Sequence, residues 1–165
     1  MDRLQEIWDS LAPASYVFLR GMYALMKSDM LARYPEFSEE AIVSLHIALD
    51  ASFSLVVRRL KQQGVANPSA HDAAVWLHQH FDSQFDLPEP QPTEKYFGEF
   101  YDQRVMTMHP GSRFGDLPYA PTTNCDICYL RPQLRRVFAY LLLGHHDPGY
   151  LEAVREHSER NSGAG

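Results

Sequence analysis

The segment SEEAIVSLHIALDASFSLVVRRLKQQG, Ser38 to Gly64, decides the fold. Ser38 stands where an N-cap is expected, Glu39 and Glu40 follow at the positive end of a helix, and Gly64 lies just past the other end. Between these marks Ile42, Leu45, Leu49, Phe53, Val56, Val57 and Leu60 recur at steps of three and four, the period of an amphipathic helix. The spacing predicts one long helix over 38–63 with an apolar face to bury.

The flanks carry the same punctuation. On the N-terminal side, Asp2 can cap a short opener with Leu4, Ile7, Trp8 and Leu11, and Ser15 can cap a second helix running to Arg33, before Tyr34-Pro35. Gly21 inside that helix suggests close contact with a neighbour. On the C-terminal side, Asn67-Pro68 supplies an N-cap and first helical residue for a helix with Ala70, Ala73, Leu77 and Phe81 on one side, ended by Pro88, Pro90 and Pro92. Thr93 can cap a further helix carrying Phe97, Phe100, Tyr101, Val105 and Met108, which must stop near His109 because Pro110 disfavours a helical residue before it.

From His109 to Pro121 runs a loop of about 13 residues, longer than the usual helix connection and therefore either functional or an Ω-loop packed by Phe114 and Tyr119. The last long helix spans Asn124 to Leu143, with Ile127, Leu130, Leu134, Val137, Phe138 and Leu141 on one face and a kink or restart at Pro132. Gly144 closes it, and Asp147-Pro148 starts a short helix. Alternating β-branched runs between turn dipeptides are almost absent. The fold class expected is all-α, an antiparallel bundle of four to six helices. One domain should span 1–157, with 158–165 a polar, flexible tail.

Composition sets limits on function. The chain has 165 residues, 45% apolar and 22% charged, which suits one packed core. Uninterrupted apolar runs reach only about seven residues, as in Val137 to Leu143, against the ~20 that span a bilayer. The N-terminus lacks an apolar stretch behind a basic start. No membrane association and a cytoplasmic location are the expectations. A net charge of -6 repels polyanions at long range, so nucleic-acid contact would need a local basic patch. Arg131, Arg135 and Arg136 are candidates, or else a solvated helix face.

Cys125 and Cys128 form a lone CxxC, either half a metal or redox site or two small residues near a helix start. Neither His145-His146 nor the other histidines show the i, i+4 spacing of a helical zinc site. No metal and no cofactor are expected.

The stretch YDQRVMTMHPGSRFG, Tyr101 to Gly115, contains Arg104 and His109 spaced as R-x4-H, and with the helical pattern around it the chain resembles the HEPN superfamily. The resemblance implies a HEPN-like all-α bundle, usually homodimeric. It also implies a metal-independent ribonuclease of defence or toxin-antitoxin type, acting on RNA and associated with a protein antitoxin or partner. Other members resemble non-catalytic binding modules.

The residues themselves give these readings physical content. At 100° per residue Arg104 falls within the apolar stripe of the predicted 93–109 helix, so a permanently charged guanidinium is aimed inward and needs a carboxylate, a phosphate or a partner chain. Asp50, one turn after His46 on the long helix, is the first candidate partner, and a buried ion pair fixing helix register is the structural alternative to a catalytic role.

His109 lies about 140° from Arg104 on an ideal helix, so the two converge only if the helix ends between them or if a two-fold axis brings the pairs of two chains together. In a metal-free site His109 would be the general base for a ribose 2'-hydroxyl and Arg104 the cation for the phosphorane charge. Tyr101 and Arg113 could add phosphate contacts, the alternative for Arg113 being a solvated loop charge. The alternative is a helix-end histidine and an adaptor whose Arg104 is a buried anchor.

Overall fold

The computed structural model describes residues 3–11, 14–85 and 124–163, the side chains of Arg3 and 124–129 excepted. Among these residues every regular element is helical: α1 (Arg3–Leu11), α2 (Tyr16–Leu31), α3 (Ser38–Gln62), α4 (Ala70–Leu77), α5 (Asn124–Leu143) and α6 (Pro148–Ser162). The all-α bundle expected from the sequence is what the chain forms. A 3-10 turn, Pro35–Phe37, leads into α3, and a π-helical turn, His78–Asp82, continues α4 into a second 3-10 turn, Ser83–Phe85.

α3 is the central element. It packs along α2, to which the short connection through Pro35–Phe37 joins it as a hairpin, and it also touches α4 and α5. Its predicted stripe is buried at Leu45, Leu49, Val56 and Leu60, while Ala41, Ala48, Ala51 and Ser52 widen the buried face so that it meets three helices at once. Leu130, Leu134, Val137 and Phe138 of α5 close the core from the other side. Each such side chain, fully removed from water, contributes roughly 1.5–3 kcal/mol.

The helix ends follow capping chemistry, with some corrections. Ser15 caps α2 by accepting the Phe18 N–H at 3.3 Å. Ser38, expected as the N-cap of α3, is its first helical residue, because the Pro35–Phe37 turn already winds the chain and Phe37 takes the cap position. Asn67 does not cap α4. Ser69 does, in a capping box: its Oγ accepts the Asp72 N–H at 3.2 Å, and Asp72 accepts the Ser69 N–H at 2.7 Å. The Ser69 hydroxyl, which donates to the Asp72 carboxylate at 2.6 Å, and then the Ser69 N–H hold that carboxyl below its ordinary pKa.

Gly64 and Gly144 adopt φ of +96° and +75°, the left-handed conformation that ends α3 and α5. α5 runs as one helix through Pro132. α6 starts on the Asp147 cap as expected but continues through Ser162, past Ser158 where polar composition suggests fraying.

Two further expectations change. Leu4 and Trp8, assigned to the buried face of α1, are exposed, and only Ile7 and Leu11 turn inward. The stretch Pro35–Gln62 is also long and apolar enough, by length and composition alone, to cross a membrane. Run length misses this because Ser, His and a single Asp interrupt the runs while adding little charge. Half of its most apolar window is buried inside the protein, as befits the core helix.

Gly21 makes the bundle close. A Cβ built there would lie 2.5 Å from Phe138 Cζ and 2.7 Å from the Ala51 Cβ, so α2, α3 and α5 meet where α2 has no side chain. Gly21→Ala should overpack this point at a cost of about 1–3 kcal/mol, only partly offset by ~1 kcal/mol of helix propensity. The expected outcome is a Tm lower by several degrees in a thermal melt; an unchanged or higher Tm would contradict the close approach.

Candidate functional site

Of the residues singled out in the sequence, Arg104, His109, Tyr101 and Arg113 lie outside the described residues. His46 and Asp50 are described, and both belong to the inner half of α3. His46 is buried and Asp50, one turn further on, is half-buried. Asp50 lines a cleft of 570 Å³ between α2 and α3, together with Tyr16, Arg20, Ile47, Phe53 and Ser54. The cleft therefore holds an acid and a base on facing helices, with aromatic walls. This is a setting that can bind a polar ligand through charge-assisted hydrogen bonds and an apolar or planar one through its rings.

A second, smaller cleft of 210 Å³ lies near the N-terminus of α2 and the C-terminal end of α3, where Ser15, Arg58, Arg59 and Gln62 surround Phe18, Leu55 and Leu141.

The basic trio expected on α5 is not a free patch. Arg131 Nε lies 2.9 Å from Asp29 Oδ1 and Arg135 Nη2 lies 2.6 Å from Asp29 Oδ2, so one carboxylate of α2 engages both guanidinium groups. Arg136 sits 5.9 Å above the Tyr150 ring. These cations tie α5 to α2 and α6. Cys125 and Cys128 fall in the first turns of α5, and their side chains lie outside the described residues.

Histidines that lack the spacing of a metal site in the sequence form a joint with aromatic residues. Trp76 stacks on His80 at 4.1 Å, His146 stacks on Tyr150 at 4.2 Å, and Tyr140 bridges the two imidazoles at 5.1 and 4.8 Å. Phe81 meets both His146 and Tyr150 edge to face, at 5.2 and 5.8 Å. His80 donates its Nδ1–H to the Trp76 carbonyl at 2.7 Å, which fixes its tautomer. The Tyr150 hydroxyl donates to the carbonyls of Phe81 and His80 at 2.9 and 3.2 Å, satisfying backbone acceptors in the π-helical turn.

The signal that could have located this joint is the coincidence of Trp76, His80 and Phe81 at helical spacing with Tyr140, His146 and Tyr150 flanking a Gly-His-His turn. What hid it is the π-helical turn, which rotates His80 and Phe81 away from their α-helical directions. Among the described residues no group of three His, Cys, Asp or Glu side chains is arranged to hold a metal ion.

The electrostatics of the joint follow from burial. Desolvation pushes the His80 and His146 pKa values down, aided at His146 by the neighbouring His80 imidazole. Desolvation likewise pushes the Tyr150 phenol up to about 12, and Asp82 nearby adds to it. The Asp82 carboxyl is raised by its own burial, against the opposing pull of His78 and Arg136.

Comparison with known proteins gave no match: no family model, no curated protein and no solved structure matches this chain.

A pH dependence of stability follows. His80 and His146 have lower pKa values folded than unfolded, where an imidazole titrates near 6.5. The unfolded chain therefore binds more protons on acidification, and their contribution to stability, complete above about pH 6.5, is lost as pH falls below it. Thermal melts at pH 7.5 and 5.5 should show a lower Tm at the acid value. His146→Phe, which keeps the stacking ring, should shrink the difference. Asp82 acts in the opposite sense from the carboxylate range upward and cancels in the comparison between proteins. Identical pH profiles for the two proteins would remove His146 from the account.

Proposed function

We propose that this chain is a HEPN-like, metal-independent endoribonuclease that acts as a homodimer, with Arg104 and His109 as its catalytic pair. The observation that carries the reading is the R-x4-H segment in a chain whose described residues form an all-helical bundle. The central helix α3 adds support, since it sets the half-buried Asp50 on an open cleft opposite Arg20.

In this reading His109 takes the proton of a ribose 2'-hydroxyl. The 2'-oxygen forms its bond to phosphorus as the bond from phosphorus to the 5'-oxygen breaks, leaving a 2',3'-cyclic phosphate, and the departing 5'-oxygen takes a proton from water to become a 5'-hydroxyl. Arg104 balances the charge that builds on the phosphoryl oxygens. Arg113 and Tyr101 hold neighbouring phosphates. Asp50 and His46, on α3, support the arginine. A protein antitoxin that covers the cleft is the partner expected for such an activity, and the cytoplasm its location.

A second reading is a non-catalytic helical dimer or adaptor in which Arg104 is a buried ion-pair anchor. It is favoured by the half-buried place of Asp50, a carboxylate positioned as an internal counter-ion would be.

The purified protein, incubated with end-labelled RNA in EDTA, should give fragments ending in 2',3'-cyclic phosphate, and His109→Ala should slow cleavage by about 10²–10⁴-fold. Absent cleavage, or equal cleavage by the two proteins, would refute the nuclease. Absent cleavage combined with a large loss of Tm in Arg104→Ala would establish the anchor.

A further inference from the structure

We propose that the cleft between the N-terminus of α2 and the C-terminal end of α3 binds a small organic acid, Arg58 and Arg59 taking its carboxylate and Phe18, Leu55 and Leu141 its apolar body. The proposal calls on no residue given a part in RNA cleavage, so it stands apart from the nuclease reading.

The sequence makes this end of α3 cationic. After Asp50 the chain holds no acidic residue until Asp72, and Arg58, Arg59 and Lys61 all fall in that stretch, against a net charge of -6 for the whole. On α5 and α6 the guanidinium groups of Arg131, Arg135, Arg155 and Arg160 meet carboxylates. Among the described residues no carboxylate pairs with Arg58 or Arg59, and none lines the cleft. A single exposed arginine is ordinary. Two consecutive ones that line one cleft leave their helix about 100° apart and so reach it from different sides.

The rest of the lining selects an anion with an apolar body. Phe18 is buried, and Leu55, Leu141 and Leu142 are half-buried, so the floor is greasy while the rim is charged. Ser15 Oγ already accepts the Phe18 N–H at 3.3 Å, which leaves its own proton to donate, and the Gln62 amide adds further donors. A carboxylate offers two oxygens in one plane, the acceptor geometry that a guanidinium fork matches. Exposed ion pairs alone contribute little, and an inorganic anion would leave the leucines wet. At 210 Å³ the cleft is smaller than the ~300–1,000 Å³ of sites for drug-sized ligands, which limits the occupant to one compact ring or a short branched chain.

Arg59 also acts on the aromatic joint. Burial, first, lowers the His80 pKa, the bond to the Trp76 carbonyl opposes this, and the positive charge of Arg59 adds to the lowering. A carboxylate seated on Arg59 offsets that charge, so filling the cleft should raise the His80 pKa.

Benzoate is a suitable probe. Calorimetric titration into the full chain should give a one-to-one complex with a Kd of about 1 mM or tighter. Arg58→Gln and Arg59→Gln should each weaken it by at least about 10-fold, the effect of losing a hydrogen bond to a charged group, with unchanged helical circular dichroism. Lys61→Gln, beside them but outside the lining, should change it by less than about 2-fold. Benzamide has the shape without the charge, and inorganic phosphate the charge without the apolar body. Each should bind at least about 10-fold more weakly than benzoate. Followed by NMR, the His80 imidazole should titrate at higher pH with benzoate bound, and Arg59→Gln should remove that shift. Should a variant fail to fold, the benzamide and phosphate comparisons on the wild-type chain carry the test.

No binding of benzoate by the wild-type chain, or binding that survives both arginine substitutions, would overturn the proposal. So would phosphate binding as tightly as benzoate, which would leave only a basic surface. Tighter binding of phenyl phosphate than of benzoate would overturn the carboxylate assignment.

Discussion

The bundle depends on the absence of a side chain at position 21. α2 lies against both α3 and α5 at that point, within a distance that leaves no room for a methyl group between it and the Phe138 ring or Ala51. Everything placed by α2 inherits this constraint. Because the helix axis is drawn in here, Phe18 meets Phe138 edge to face at 5.6 Å, and Asp29, further along the helix, comes within reach of Arg131 and Arg135. The same approach fixes how α2 is turned about its own axis, and so which of its residues face solvent.

A second device holds the C-terminal half. The π-helical turn after α4 swings His80 and Phe81 toward α5 and the α5–α6 turn, where they meet Tyr140, His146 and Tyr150. Flat rings pack well at offset and edge-on angles, so imidazoles kept neutral by burial can stand here among the aromatic rings, His80 with its Nδ1–H bonded to the Trp76 carbonyl. His145 extends the connection to the N-terminus, with Nε2 3.1 Å from Glu6 Oε1 of α1.

Most of the fold was legible because its determinants are local. Ser15, Gly64, Gly144 and Asp147 mark helix ends through their own backbone and side-chain chemistry, and the α3 stripe needs only a period. Positions decided by competition were not legible. Asn67 and Ser69 are both good caps, and Ser69 takes the role through the reciprocal bond from Asp72. Leu4 and Trp8 carry an amphipathic signature, but a periodic pattern does not reveal which apolar face finds a partner within the same chain. The candidate site was legible only in part: the step from His46 to Asp50 on one helix could be read from spacing, whereas the presence of Asp50 and Arg20 in the lining of one cleft arises from how α2 sits on α3.

The hydroxyl of Tyr150 grips two successive carbonyls of the π-helical turn, so α6 registers the winding of a segment some 70 positions earlier in the chain. A π-helical turn is in effect one residue inserted into an α-helix. Deleting a single residue between His78 and Asp82 would restore the regular α period, yet rotate all that follows by about 100°. Phe81 would swing off the Tyr150 ring and the phenolic proton would lose both acceptors. The irregular winding is thus what couples the two ends of this half of the chain, and regularising it would tighten the local helix while unlatching the C-terminal one.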